Sequence, residues 1–221
     1  MIPSQKSPNK DNPHAEQPVY TAGASHDDAD LFCILLHGRG AHPRDMIRLA
    51  NNLRRKNVRY LAPRANHHTW YPYRFIAPIK QNEPELSSAL QRVDTIIEEL
   101  EADGITSDRI ILAGFSQGGC VALDYAARNA RHYAGIAGFS AGLIGQELDT
   151  SVYEGHFKET PVFLGCSEED PHIPSERFKE TSEIFKKMGA DVDARLYPHL
   201  GHAINEDEIE ALRNLTRQLV T

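Results

Sequence analysis

Cysteine is scarce in this chain of 221 residues: Cys33, Cys120 and Cys166 are its three, and they stand far apart. An odd count at wide spacing excludes a disulfide framework and a zinc site and reads as reduced thiols in a cytoplasm. Long apolar runs are missing too. Nothing approaches the roughly 18 residues of a membrane-spanning helix; the longest candidates are Leu31–Leu36 and the small-residue stretch 134–145. The opening MIPSQKSPNKDNPHAEQP has no apolar core, so it is not expected to act as a secretory signal. Basic residues are the minority. Against 31 Asp and Glu stand 24 Lys and Arg, a net charge of −7, which argues against nucleic acid as a partner, because phosphate backbones select basic faces. The 15 glycines follow no period, which excludes a collagen-like chain. No G-x-x-x-x-G-K-[ST] occurs, and no G-x-G-x-x-G follows any apolar run, so a nucleotide-phosphate loop is not expected.

What remains is the composition of a soluble globular protein, 40% hydrophobic and 25% charged. Residues 1–18, rich in Pro, Asn, Ser and Lys, read as a disordered tail, and 19–221 as a single domain. Beyond the tail, two kinds of segment alternate. Short apolar runs bounded by turn residues read as buried strands: LFCILL (31–36), VRYLAP (58–63), RIILAGF (109–115), YAGIAGFS (133–140), TPVFLG (160–165) and ARLYP (194–198). Longer segments carry helical spacing. Leu86, Leu90, Val93, Ile97 and Leu100 recur every three or four residues until Gly104. SERFKETSEIFKKMG offers Ser175 as N-cap and Gly189 as stop, and NEDEIEALRNLTRQLV offers Asn205 as cap before an acidic first turn. This alternation predicts an α/β fold with a mostly parallel sheet flanked by helices. In such sheets chemistry gathers in the loops beyond the carboxyl ends of the strands.

The run RIILAGF leads into Gly114-Phe115-Ser116-Gln117-Gly118, a G-x-S-x-G between a strand and a helix. A sharp turn there pushes the serine hydroxyl out of the sheet, and glycines two before and two after remove Cβ atoms that would collide. A serine needs a positioned base. His202, at the tip of the loop after ARLYP, suits that role, with His199 as a rival. The H-x-x-H spacing of these two lacks accompanying acidic or thiol ligands, so no metal is expected. After TPVFLG stand Glu168, Glu169 and Asp170. Pro171 stiffens the backbone of Asp170 and favours it as the acid; its neighbours read as solvated loop charges. An oxyanion needs preorganised N–H donors. The backbone amide of Gln117 is one, and that of Arg39, in the glycine-bearing turn His37-Gly38-Arg39-Gly40, is the other unless that turn is a plain connection.

LLHGRGAHPRDM, GFSQGGCVAL, GCSEEDPHIP and YPHLGH, in that order, resemble the phospholipase/carboxylesterase family of α/β-hydrolases, which includes the acyl-protein thioesterases. The resemblance spans roughly residues 30–220. It implies an α/β-hydrolase fold with a minimal lid, no cofactor, the triad Ser116, Asp170 and His202, and oxyanion donors on Arg39 and Gln117. HGRGA stands where the thioesterases carry HGLGD, and APRANHHTWYPYRF is similar to a bacterial branch of predicted esterases.

Trp70, Tyr71, Tyr73 and Phe75 either line an acyl pocket or staple a wet loop to the core. Arg39, Arg44, Arg64 and Arg74 come from loops on the same expected face. Arg74 is a candidate substrate contact with Trp70, Tyr71 and Phe75, unless these arginines pair with nearby carboxylates. The residues thus predict a serine hydrolase of small soluble carboxylic esters, working through an acyl-enzyme. A thioesterase or lysophospholipase would use the same machinery. A non-catalytic binder on a hydrolase scaffold is the reading of another class. Homodimerisation is left open.

Overall fold

Every residue of the strand Leu31–Leu36 (β2) is buried. Phe32, Ile34 and Leu36 join one apolar cluster, and Leu31, Cys33 and Leu35 join another. Side chains alternate across a strand, so β2 lies between two cores, one on each face of a sheet. The computed structural model describes residues 11–53 and 55–217. Among them, six further strands complete that sheet: β1 (Val19–Gly23), β3 (Val58–Pro63), β4 (Ile110–Phe115), β5 (Gly135–Phe139), β6 (Pro161–Ser167) and β7 (Asp191–Tyr197). Their order is β1-β3-β2-β4-β5-β6-β7. Only the β1–β3 pair is antiparallel.

The helices α1 (Pro43–Leu53) and α5 (Glu206–Leu215) supply one core. The other core takes α2 (Glu85–Ala102), α3 (Gln117–Arg128) and α4 (Ser175–Lys187). Leu86, Val93, Ile97 and Leu100 are buried along α2, as the spacing predicts. Asn205 caps α5 in a reciprocal capping box with Glu208. The chain runs from β2 outward to β3, then returns past β2 to β4. That reversal opens a crevice beyond the carboxyl ends of β2 and β4.

Three expectations need correction. Residues 11–18 are not a loose tail: His14 is fully buried, and its backbone amide donates to Ser88 Oγ at 2.9 Å. Residues 1–10 of that expected tail lie outside the described residues. Ser175 does not cap α4; Pro174 occupies the cap position and no side chain bonds there. The strand holding ARLYP is not buried on both faces, because β7 is the sheet edge and stays half exposed. β1 is a further strand that the sequence pattern does not signal, since it is short and only partly buried.

Candidate active site

Between β4 and α3 a single residue, Ser116, takes φ 53° and ψ −121°. A side chain in that region is strained by about 1–3 kcal/mol. Two backbone bonds hold it: Ser116 N–H donates to Phe139 O at 2.8 Å, and its carbonyl accepts from Cys120 N–H at 2.9 Å. The flanking glycines have the expected cause. A Cβ on Gly114 would lie 2.6 Å from the Gly118 carbonyl, and one on Gly118 would lie 2.4 Å from the carbonyl oxygens of Leu36 and His37. The tight turn therefore packs directly on the end of β2.

The loop after β7 brings His202 to this turn. Its Nε2 lies 2.8 Å from Ser116 Oγ, and its Nδ1 lies 2.8 Å from Asp170 Oδ2. A carboxylate can only accept, so Nδ1 carries the proton and Nε2 is free to accept from the serine hydroxyl. Asp170 sits in the loop after β6. Its Oδ1 accepts from the amides of His172 at 2.8 Å and Ile173 at 3.1 Å. Burial pushes the Asp170 carboxyl up, but the His202 bond and these two amides outweigh it and hold the group below its ordinary range. The two loops are tied together: Gly201 N–H donates to Ser167 Oγ, and Glu168 N–H to Tyr197 O. The rivals stand aside. His199 is exposed and meets Glu169, also exposed, at 3.3 Å.

The turn after β2 forms the opposite wall. The backbone amides of Arg39 and Gln117 donate to no group among the described residues, and both residues line the crevice beside Ser116. Several bonds fix this wall. His37 Nδ1 donates to Gly38 O at 2.8 Å, and its Nε2 accepts from Ala65 N–H at 3.1 Å. Trp70 Nε1 donates to His37 O at 2.8 Å. The Gln117 side chain accepts from Trp70 N–H at 2.9 Å and donates to Tyr71 O at 2.7 Å. Burial lowers the His37 pKa to about 4, against a smaller upward pull from Gly38.

The crevice encloses about 490 Å³. Tyr71, Phe75, Phe115 and Ile173 give it apolar walls, and Arg39, Arg74, His172 and His202 give it nitrogen. Of the expected substrate contacts, Tyr71, Phe75 and Arg74 line it and Trp70 does not. Trp70 is a fully buried support for the wall, so the aromatic segment acts partly as pocket and partly as staple. Arg64 binds Gln17, and Arg44 lies over Tyr20, so neither lines the crevice. Sequence reasoning passed over four supports. His14 spans Trp70 O and Asn66 N–H. Asn82 clamps the backbone of Tyr73 and Arg74. The His172 ring meets His202 edge-on at 4.7 Å, and the Cys166 thiol lies 3.8 Å from Asp170 Oδ2. His14 and Asn82 lie outside every motif, and Cys166 and His172, inside GCSEEDPHIP, show their contacts only in the folded loop.

The model of the phospholipase/carboxylesterase family matches residues 23–220. A phospholipase/carboxylesterase from Dyadobacter fermentans is 43% identical, with a TM-score of 0.88 over 90% of this chain and 96% of that one. Acyl-protein thioesterase 1 of Gibberella zeae is 28% identical over 90% of this chain and 94% of its own length. The Bacillus cereus carboxylesterase, 17% identical, shares the fold at a TM-score of 0.71 over 90% of this chain and 93% of that one.

Proposed function

We infer the mechanism of this chain from one premise: it belongs to the phospholipase/carboxylesterase family of α/β-hydrolases and is an ester-hydrolysing serine hydrolase. Ser116 is the nucleophile, His202 the base and Asp170 the group that orients and balances the imidazole. The observation that carries this is the continuous chain Ser116 Oγ–His202–Asp170, with 2.8 Å at each link. As Ser116 Oγ bonds to the acyl carbon, its proton passes to His202 Nε2. The carbonyl oxygen becomes an oxyanion, which the amides of Arg39 and Gln117 receive. His202 returns the proton to the departing alcohol, leaving an acyl-serine. Water, deprotonated by His202 in turn, releases the acid and restores Ser116.

The substrates in this reading are small soluble esters, a size that suits a crevice of about 490 Å³. A thioester would pass through the same acyl-serine, and the likeness to the Gibberella zeae thioesterase supports that second reading. The span of the family match supports one domain over 19–221. Three buried free thiols support a reducing cytoplasm as its location, and among the described residues no helix is long and apolar enough to cross a membrane. An organophosphonate should add one equivalent of inhibitor mass to the native protein, and Ser116→Ala should remove the adduct. Labelling that persists in the alanine variant refutes the assignment of the nucleophile.

A further inference from the structure

We propose that the ester this site takes carries an anionic group, a carboxylate or phosphate, held by Arg74 and Arg39 at the mouth of the crevice. The inference rests on the serine-hydrolase reading above and adds the substrate class to it.

The chain has an excess of acid, yet the residues lining the crevice include two arginines and no Asp or Glu. Chance alone would favour the opposite sign. The acids close by are already engaged. Asp170 is buried behind His202 with both oxygens bonded. Glu169 meets His199 and faces away from the crevice lining. Asp45 is held by His42 N–H and Arg48. Elsewhere some arginines pair with carboxylates, as at Arg128, Arg131, Arg177, Arg195 and Arg213, while others, such as Arg59, Arg64 and Arg92, bond carbonyl oxygens away from the crevice. Neither Arg39 nor Arg74 has a carboxylate partner among the described residues.

What these two do bond to fixes their position without cancelling their charge. Arg39 Nη1 donates to Pro72 O at 2.8 Å and Nη2 to Tyr73 O, with the guanidinium 5.9 Å from the centre of the Tyr71 ring. Arg74 spends one donor, Nη2, on His172 O at 3.2 Å. Its Nε and Nη1 have no partner among the described residues. Asn82 pins the backbone of Arg74 through its carbonyl. Partial burial lowers the Arg39 pKa, while its side chain remains exposed to an incoming anion. Two guanidinium groups with a single sign, over low-dielectric aromatic walls, favour an anion through charge-assisted bonds.

A purely mechanical role for these arginines, clamping the aromatic segment, would slow every ester alike. The test therefore reads a ratio. Hydrolysis of para-butyryloxybenzoate is compared with that of para-butyryloxybenzamide, and para-butyryloxyphenyl phosphate serves as the phosphate arm. Monomethyl adipate and its terminal amide place the charge on the acyl side. We expect kcat/KM for the anion to exceed that of its neutral isostere by at least about tenfold in one pair. Arg74→Gln should cut that ratio to within about threefold, and Arg74→Lys should restore part of it. Taking the ratio within one variant cancels any loss of folded protein. Neutral esters turned over as well as the anions in every pair would overturn the substrate class while leaving the hydrolase standing. A ratio that survives Arg74→Gln and Arg39→Gln would overturn the assignment to these arginines. If no ester is cleaved and phosphonate does not label Ser116, the hydrolase reading itself falls.

Discussion

In the proposed triad, His202 can take a proton from Ser116 in only one tautomer, and Asp170 selects it. The carboxylate accepts from Nδ1 at 2.8 Å, which leaves Nε2 bare toward the hydroxyl. Asp170→Asn keeps the size of the group but allows its amide to stabilise the wrong tautomer, and it removes the charge that balances the imidazolium. It should lower kcat by a factor on the order of 10³–10⁴. Glu168→Gln and Glu169→Gln should each cost less than about tenfold, because Glu169 turns outward to His199 and cannot reach the ring of His202. Steady-state kinetics of the three variants on one ester decide the matter, and a crippled Glu169→Gln beside a mild Asp170→Asn would contradict the assignment. At this scale the three positions of the proposed triad could be named from sequence because each follows a strand, with Pro171 after Asp170 and Gly201 before His202. The two readings of Trp70 could not be separated from sequence, for a physical reason. An aromatic beside a site looks the same in sequence whether it faces the ligand or, as here, buries itself and bonds the carbonyl of His37.

At the scale of elements, the site depends on the end of β2 meeting the turn between β4 and α3. The carbonyl oxygens of Leu36 and His37 would lie 2.4 Å from any Cβ on Gly118. Gly118→Ala must therefore push the turn off the Arg39 loop, and both partners in that clash are backbone, which gives little. We expect a loss of stability of about 1–3 kcal/mol and a fall in kcat larger than that of a surface alanine variant. Urea unfolding and kinetics on the same preparation would show both; unchanged kcat would mean that the two segments are not rigidly coupled. A second coupling runs through Gln117, whose side chain bridges Trp70 and Tyr71. Gln117→Ala leaves the backbone amide in place but releases two buried peptide groups. It should raise KM more than it lowers kcat, by about threefold or more. Strand positions were legible here where a run was buried, as in β2 and most of β4, and helix positions where apolar residues recurred every three or four residues, as in α2. The edges were less so: β1 is short and half exposed and carries no clear pattern, and β7 could be placed as a strand but not recognised as a half-exposed edge.

Across the whole molecule, two buried groups make stability depend on pH with opposite signs. His37 has a pKa of about 4 in the fold, lowered mainly by burial from an ordinary value of 6.5. Between those values the unfolded chain binds more protons than the folded one, so stability rises with pH through this window. His14, also lowered by burial, adds to the same slope. Glu208 behaves in reverse. Burial raises its pKa from 4.5 to about 7, against a smaller downward pull from the amide of Asn205, and its Oε1 has no hydrogen-bond partner among the described residues. There the folded chain holds the extra proton, so stability falls as pH rises from 4.5 to 7. The two windows overlap and the slopes offset each other. Glu208→Gln keeps the shape but removes the titration. The variant should gain on the native protein steadily as pH rises from about 5 to about 7, by at most about 3 kcal/mol. Its own stability should climb through the histidine window that the native protein conceals. Denaturant unfolding at about pH 5, 6 and 7 measures both, with the difference between the two proteins as the readout. A difference that stays constant across that range would mean that Glu208 keeps the same protonation in the folded and unfolded chain, and that its buried oxygen has found a donor.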